Sequence, residues 1–348
     1  MKSSAVRILV VEESSETRDQ IRQALASTPE FRIVGEATDA FEARKLLVEL
    51  KPDVMLLDVH LPKMSGLSFL QKVMKHFPVR TLALSPDPTQ NPQLMIDAIG
   101  AGAVDVVKKP GNNSPEDIRL LVAKLRTVAS ANLRTPLAPQ ETHPKAPASK
   151  IKNFATTMVA IASSTGGTEA LKFVLPRIQM GEEAAILVVQ HLPETFVKTY
   201  VELLNTICPF LVKEAEDGEK IQSGIAYLAP GDFHMEVRQA GAQYAIVLHQ
   251  KPFLHAIRPS ADYLLHSIAK LRAPKAIGVV LTGMGKDGAE GLAAMRKRGT
   301  YNIAQDESTS VIFGMPKEAE KLGGIDTVLP LEEIGEEINR QLRRKKAA

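Results

Sequence analysis

The sequence predicts an α/β protein made of two successive doubly wound domains with mostly parallel sheets. Three observations predict it. Short apolar runs alternate with segments of helical spacing from residue 7 to about residue 130, and a second alternation of the same kind begins after residue 153. Between them, residues 131–152 carry Pro136, Pro139, Pro144 and Pro147 among Thr, Ala, Gln and Lys, with no hydrophobic periodicity. Two domains also suit a chain of 348 residues. The expected organisation is therefore a first domain over 1–130, a Pro-rich linker over 131–152 and a second domain over 153–348.

In the first domain the apolar runs are Arg7–Val11, Arg32–Glu36, Val54–Leu57, Thr81–Leu84 and Val104–Val107, which makes five βα units. Parallel strands need crossover connections, and right-handed crossovers place helices on both sheet faces, so a five-stranded flavodoxin-like sheet is the economical architecture. The second domain offers Thr157–Ala162, Ala185–Gln190, Gly224–Leu228, Tyr244–Leu248 and Ala276–Thr282, and closes with the helical segment Leu331–Arg344. Repeated strands and turns through residues 211–249 predict a hairpin insertion into an otherwise parallel fold.

Composition excludes several function classes. A net charge of +3, with acids and bases intermixed, gives no electrostatic case for nucleic-acid binding. The single cysteine, Cys208, rules out an internal disulfide framework and a cysteine zinc cluster, and suits a reducing cytoplasm. Ile8–Val11 is too short for a signal-peptide core, and no run approaches the roughly 18 apolar residues of a membrane span. The basic tail Arg340, Arg343, Arg344, Lys345 and Lys346 reads as a solvated helix end.

Open α/β sheets carry their functional groups beyond the carboxyl ends of the strands. In the first domain those positions hold Glu12 and Glu13, then Asp58, then Ser85, then Lys109 with Pro110. Together they supply a carboxylate nucleophile, oxygen ligands for a hard divalent cation, a hydroxyl, and an ammonium able to pair with phosphoryl oxygens. Singly, each has a plain reading as a helix cap, a turn residue or a surface lysine. Their joint placement at successive strand ends is what points to a phosphoacceptor site.

Residues 7–130 resemble the receiver domain of bacterial response regulators through ILVVEES, LLDVHLPKMSG, LALS and VVKKP. The resemblance implies a phosphoaspartate at Asp58, Mg²⁺ held by Glu12, Glu13 and Asp58, a switch hydroxyl at Ser85 and a phosphate-pairing Lys109. One departure matters: the family usually has two aspartates where this chain has Glu12 and Glu13. Each extra methylene moves a carboxylate by more than a bond length, and Mg²⁺ tolerates poor geometry badly.

In the second domain, the strand Thr157–Ala162 runs into Ser163-Ser164-Thr165-Gly166-Gly167 and then a helical segment, Thr168–Val174. A hydroxyl at a strand-to-helix turn is exposed to substrate, and the amides after it face developing negative charge. The same pattern also fits a helix N-cap or a phosphate-binding turn, although it lacks the P-loop lysine and the dinucleotide spacing. The other strand ends add Gln190-His191 and Gly283-Met284-Gly285-Lys286-Asp287-Gly288, so a serine, a histidine and an aspartate all fall on the carboxyl edge. His191 can take the serine proton, Asp287 can fix the imidazole, and the Met284 N–H is a candidate oxyanion donor.

Residues 156–345 are similar to the catalytic domain of the chemotaxis protein-glutamate methylesterases, the CheB family, through IASSTGGTEAL, VVQHLPETF, GIAYLAPGDFHM, IRPSADYLL, VVLTGMGKDGAEGL and AQDESTSVIFGMPKEA. The match places the nucleophile on Ser164, the base on His191, the orienting acid on Asp287 and the oxyanion amide on Met284. Ala162-Ser163 stands where Gly-Ala is usual, which leaves Ser163 as an alternative nucleophile. His234, Arg258, Asp262 and Asp306 lie in matched segments, but capping and turn roles explain them equally well, and they are assigned no catalytic role.

The resemblance further implies hydrolysis of glutamyl methyl esters on methyl-accepting chemotaxis receptors, with methanol released and no cofactor for that chemistry. Glutamine deamidation is a second activity found in some members. The phosphodonor implied is the chemotaxis histidine kinase, which relieves a block by the unphosphorylated receiver; neither nucleic acid nor membrane insertion is expected. Two rival readings stand beside this: a response regulator whose second domain is a non-catalytic binding module, and a related acyl hydrolase acting on receptors outside chemotaxis.

Overall fold

The computed structural model describes residues 5–87, 90–111, 114–133, 153–271 and 275–344. They form two compact units, one within Met1–Leu137 and one within Ala138–Ala348. Of the expected linker, 134–152 lie outside the described residues, as do Lys345 and Lys346. Ala131 belongs with the first unit: it is buried, and its carbonyl accepts from Arg80 Nε at 2.6 Å.

The first unit alternates β1 (Val6–Val11), α1 (Ser15–Ala26), β2 (Phe31–Ala37), α2 (Ala40–Leu50), β3 (Val54–Asp58), α3 (Gly66–His76), β4 (Arg80–Ser85), α4 (Pro92–Gly100), β5 (Asp105–Lys108) and α5 (Pro115–Ala129). Its sheet runs in the order β2-β1-β3-β4-β5, and every pairing is parallel. Strand order reverses direction between β1 and β3, and the crevice at such a point is where open sheets gather ligands. The helices start where local chemistry dictates. Ser14 caps α1, Asp39 caps α2 through Phe41 N–H and Glu42 N–H, and Pro115 stands in the first turn of α5 behind Ser114. Strand β3 is buried along its whole length, as helices on both faces require.

The second unit contains β6 (Thr157–Ser163), α6 (Gly167–Val174), β7 (Ala184–Gln190), α7 (Glu194–Ile207), β8 (Leu211–Glu214), β9 (Ile225–Leu228), β10 (His234–Ala240), β11 (Gln243–His249), α8 (Ala261–Lys270), β12 (Lys275–Val280), α9 (Ala289–Lys297), β13 (Tyr301–Gln305), α10 (Met315–Lys321), β14 (Thr327–Leu329) and α11 (Leu331–Arg344). Seven strands form a parallel sheet, β14-β13-β12-β6-β7-β9-β8, while β10 and β11 make a separate antiparallel pair. That pair is the expected hairpin insertion, and it packs on α8. Strands β8, β10, β13 and β14 are not among the apolar runs singled out in the sequence: β13 begins and ends on polar residues, and β14 is a three-residue edge strand that is only half-buried.

Cys208 ends α7, where burial pushes its thiol up to about 12. Among the described residues no helix is long and apolar enough to cross a membrane.

Candidate functional site

In the second unit the chemistry gathers at the middle of the sheet, where β12, β6 and β7 are neighbours. Ser163 and Ser164 lie at the end of β6, His191 follows β7, and Asp287 follows β12. Backbone bonds weld these ends together: His191 N–H donates to the Ser163 carbonyl at 3.1 Å, and Ser164 N–H to the Thr282 carbonyl at 3.1 Å. Gly166 takes φ +79° at the start of α6, a left-handed conformation that turns the chain from strand to helix, and a Cβ there would meet Val311 at 2.7 Å.

The two adjacent serines have opposite surroundings. Ser163 is fully buried and its hydroxyl donates to Gln190 Oε1 at 2.7 Å. The same Gln190 amide donates from Nε2 to the carbonyls of Ser164 at 3.0 Å and His191 at 3.3 Å, tying the turn after β6 to the turn after β7. Ser164 is half-buried, and Gly283 lies directly against it; a Cβ on Gly283 would stand 2.8 Å from Ser164 Cβ.

His191 and Asp287 are in contact, with Nε2 2.9 Å from Oδ2. Three more donors hold the same carboxylate: Ser260 Oγ on Oδ1 at 2.5 Å, Ala261 N–H on Oδ2 at 2.6 Å and Asp262 N–H on Oδ1 at 3.2 Å. The last two amides belong to the first turn of α8, so Asp287 caps that helix from a distant part of the chain. Burial works against the charge on Asp287, yet His191, Ser260 and Ala261 outweigh it and hold the carboxyl below its ordinary range. An ionised Asp287 can only accept, so His191 carries its hydrogen on Nε2 and presents a lone pair on Nδ1. Among the described residues Ser164 Oγ makes no hydrogen bond to that ring, a contact that in enzymes without substrate often tightens only on binding.

A second imidazole–carboxylate pair lies alongside. His255 Nε2 is 3.1 Å from Asp262 Oδ2, and Gly291 N–H donates to Asp262 Oδ1 at 2.7 Å. Burial, with the neighbouring charge of Asp287, pushes Asp262 up despite the Gly291 bond. His255, Asp262 and Asp287 could together offer ligand atoms to a cation, but hydrogen bonds already engage both carboxylates. Arg258 is a structural strut whose Nε and Nη2 both donate to Asp232 Oδ1, at 3.0 and 2.6 Å, and Asp306 closes the turn 306–310 through Thr309 N–H at 2.9 Å. Met284 stands on the rim with its side chain half exposed. Sequence reasoning missed Ser260 and the role of Gln190. The signal for Ser260 was its place as a cap residue two positions before an acid; nothing in the sequence pairs it with Asp287, 27 residues away.

The first unit assembles its own cluster at the ends of β1, β3 and β5. Glu12 and Asp58 are buried, and Lys109 Nζ lies between them, 2.9 Å from Glu12 Oε2 and 2.8 Å from Asp58 Oδ2. Burial lowers the Lys109 pKa, but the two carboxylates outweigh it and the net shift is upward. Glu12 Oε1 accepts from Ser14 N–H at 2.9 Å, and Arg18 fixes the backbone by donating to the carbonyls of Glu12 and Glu13 at 2.7 and 2.8 Å. Ser85 is buried at the end of β4, while Glu13 is exposed. Gly66 is needed for close approach: a Cβ there would meet the Asp58 carbonyl oxygen at 2.0 Å.

A divalent cation fits this donor set. Glu12 Oε2 is buried and paired with the Lys109 ammonium at 2.9 Å, a carboxylate oxygen that a cation could share. Hard carboxylate oxygens are the ligands Mg²⁺ takes, and Glu12 and Asp58 already share one positive charge.

Residues 159–338 match the family model described as CheB methylesterase, and residues 8–122 match that of the response regulator receiver domain. A protein-glutamate methylesterase/protein-glutamine glutaminase of Bdellovibrio bacteriovorus is 43% identical over 352 residues, covering 99% of each chain. The protein of that name from Escherichia coli is 38% identical over 341 residues, covering 96% of each. The crystal structure of the Thermotoga maritima CheB methylesterase catalytic domain is 37% identical and covers 55% of this chain and 99% of its own, with a TM-score of 0.51.

Proposed function

The chain belongs to the CheB methylesterase family, and from that premise we propose that it is a phosphorylation-regulated enzyme that hydrolyses glutamyl methyl esters on methyl-accepting chemotaxis receptors. The observation that supports this best is the His191–Asp287 contact at 2.9 Å, on strand ends that flank the one carrying Ser164.

Ser164 is the nucleophile in this reading. Its Oγ forms a bond to the ester carbonyl carbon while its proton passes to His191 Nδ1, and the charge on the carbonyl oxygen is met by backbone N–H groups, that of Met284 among them. Collapse breaks the carbon–methoxy bond, and His191 returns the proton to methoxide, giving methanol. Water then attacks the acyl-serine, His191 takes its proton and gives it to Ser164 Oγ, and glutamate leaves. Asp287 holds the ring on Nε2 throughout and stabilises the imidazolium. The ring nitrogens are therefore used in the reverse order to the serine proteases, where Nδ1 faces the acid. A glutamine side chain entering the same site would lose ammonia instead of methanol, which is the glutaminase activity.

Asp58 is the phosphoacceptor, with Lys109 released from it to pair with a phosphoryl oxygen and Ser85 as the switch hydroxyl. Mg²⁺ held by Glu12, Glu13 and Asp58 would neutralise phosphoryl oxygens when bound. The phosphodonor is a chemotaxis histidine kinase and the setting cytoplasmic, with residues 131–152 joining the two domains.

The test is methanol release from a methylated receptor fragment by the full chain in the presence of a phosphodonor, with Ser164→Ala alongside. A loss of roughly a thousandfold or more is expected. Equal rates for the two proteins would remove Ser164 from the chemistry.

A further inference from the structure

Behind the Asp287 cradle lies a fully buried imidazole that the proposed chemistry does not use. His234 opens β10 at 0% exposure, and both its ring nitrogens are engaged. Ser260 N–H donates to Nδ1 at 3.1 Å, and Nε2 lies 3.2 Å from the Pro252 carbonyl. A backbone N–H can only donate and a carbonyl can only accept, so one form of the ring satisfies both: neutral, with its hydrogen on Nε2.

Ser260 is the link to the active site. Its N–H holds His234, its hydroxyl holds Asp287 Oδ1 at 2.5 Å, and the next two amides hold the same carboxylate. Movement of Ser260 therefore disturbs three of the four donors on Asp287, leaving only His191 itself.

We propose that His234 is a positioning residue for the esterase: as a neutral acceptor it fixes the Ser260 amide, and through it the Asp287 carboxylate against His191, and protonation of His234 releases that cradle. The inference rests on reading Asp287 as the acid of the catalytic group.

The surroundings favour the neutral form. His249, the cross-strand partner on β11, has its ring centroid 5.5 Å away, and Tyr263 on α8 stands at 4.2 Å. His249 Nε2 is 3.2 Å from Glu236 on β10, and Lys251 lies 5.5 Å from the Tyr263 ring centroid. Burial lowers the His234 pKa, His249 and Arg258 add to the effect, and the Pro252 carbonyl and Asp287 oppose it. A protonated ring would set N–H against the Ser260 N–H. Activity then needs two imidazoles free of protons, His191 as base and His234 as anchor. As pH falls, log kcat should steepen from slope one towards slope two once both rings have taken up protons.

The experiment measures kcat and KM for methanol release by the full chain from about pH 5 to 8. The proteins compared are wild type, His234→Phe, His234→Asn and Asp287→Asn. Phe fills the space but makes neither bond, and a fall in kcat of roughly ten- to a hundredfold with KM unchanged is expected, as for other outer-shell partners. Asn offers an amide oxygen near the place of Nδ1; it should recover most of kcat and show slope one throughout the acid limb. Wild-type kcat in His234→Phe, or a slope-two limb in His234→Asn, overturns the proposal. Should His234→Phe fail to melt cooperatively, the slope in His234→Asn decides alone. A normal rate in Asp287→Asn overturns the catalytic reading itself; a loss there with none in His234→Phe overturns only the positioning role.

Discussion

Ser163 and Ser164 differ by one position and by everything a hydroxyl can feel. Ser163 spends its proton on Gln190 Oε1 inside the sheet edge, whereas Ser164 sits half-buried on the turn. Ser163→Ala should therefore cost stability, about 1–3 kcal/mol from an orphaned buried amide oxygen, and leave most of the esterase rate. Urea denaturation and methanol release on the same sample would check both halves; a rate loss matching that of Ser164→Ala would make Ser163 the nucleophile instead. At the other site the unusual residues are Glu12 and Glu13. The longer Glu12 reaches Lys109 at 2.9 Å, so a cation has to compete with an ammonium for the same oxygen. Replacing both residues by Asp should lower the Mg²⁺ concentration that half-saturates phosphorylation by a small phosphodonor. An unchanged midpoint would mean that carboxylate reach does not limit the metal.

Helix α8 owes its start to a residue outside it. Asp287 accepts from two amides of its first turn and from the Ser260 hydroxyl, so the carboxylate acts as a cap as well as a ring holder. Its pKa is depressed on folding; its stabilisation is then complete above the unfolded value of about 3.9 and is lost as pH falls through the folded value. The stability gap between wild type and Asp287→Asn, expected at about 3 kcal/mol near neutrality, should stay flat down to about pH 5 and narrow below about pH 4. A gap that widened in acid would contradict the sign. Elements of this kind mark where the sequence stops being legible. Strands β1, β3, β6 and β7 are apolar runs that announce themselves, and the functional residues following them could be found by position. Strand β13 could not, because its Tyr301 and Gln305 ends break the apolar signal. Nor could the Ser260–Asp287 bond, which depends on how two distant segments pack rather than on any local pattern. The reach of Lys109 to Glu12 was likewise hidden, since residue identity reveals a charge but not the partner it selects.

The whole molecule joins a receiver-domain unit to a methylesterase-domain unit, each with its own core. A phosphodonor with Mg²⁺ should raise the rate of methanol release in wild type several-fold and do nothing in Asp58→Asn, which lacks the carboxylate proposed as phosphoacceptor. An equal response in the two proteins would place control elsewhere. Cys208 bears on how such a response can be watched. It is the only cysteine of the chain, and burial both shields the thiol and pushes its pKa up to about 12, so little thiolate is present at neutral pH. Maleimide and spin-label reagents react through the thiolate and will pass it by. Single cysteines introduced at the exposed positions Phe41 and Leu322, one on each unit, would then carry the only two labels on the protein. The native sequence already serves as a silent background for distance spectroscopy, with and without a phosphoryl group on Asp58.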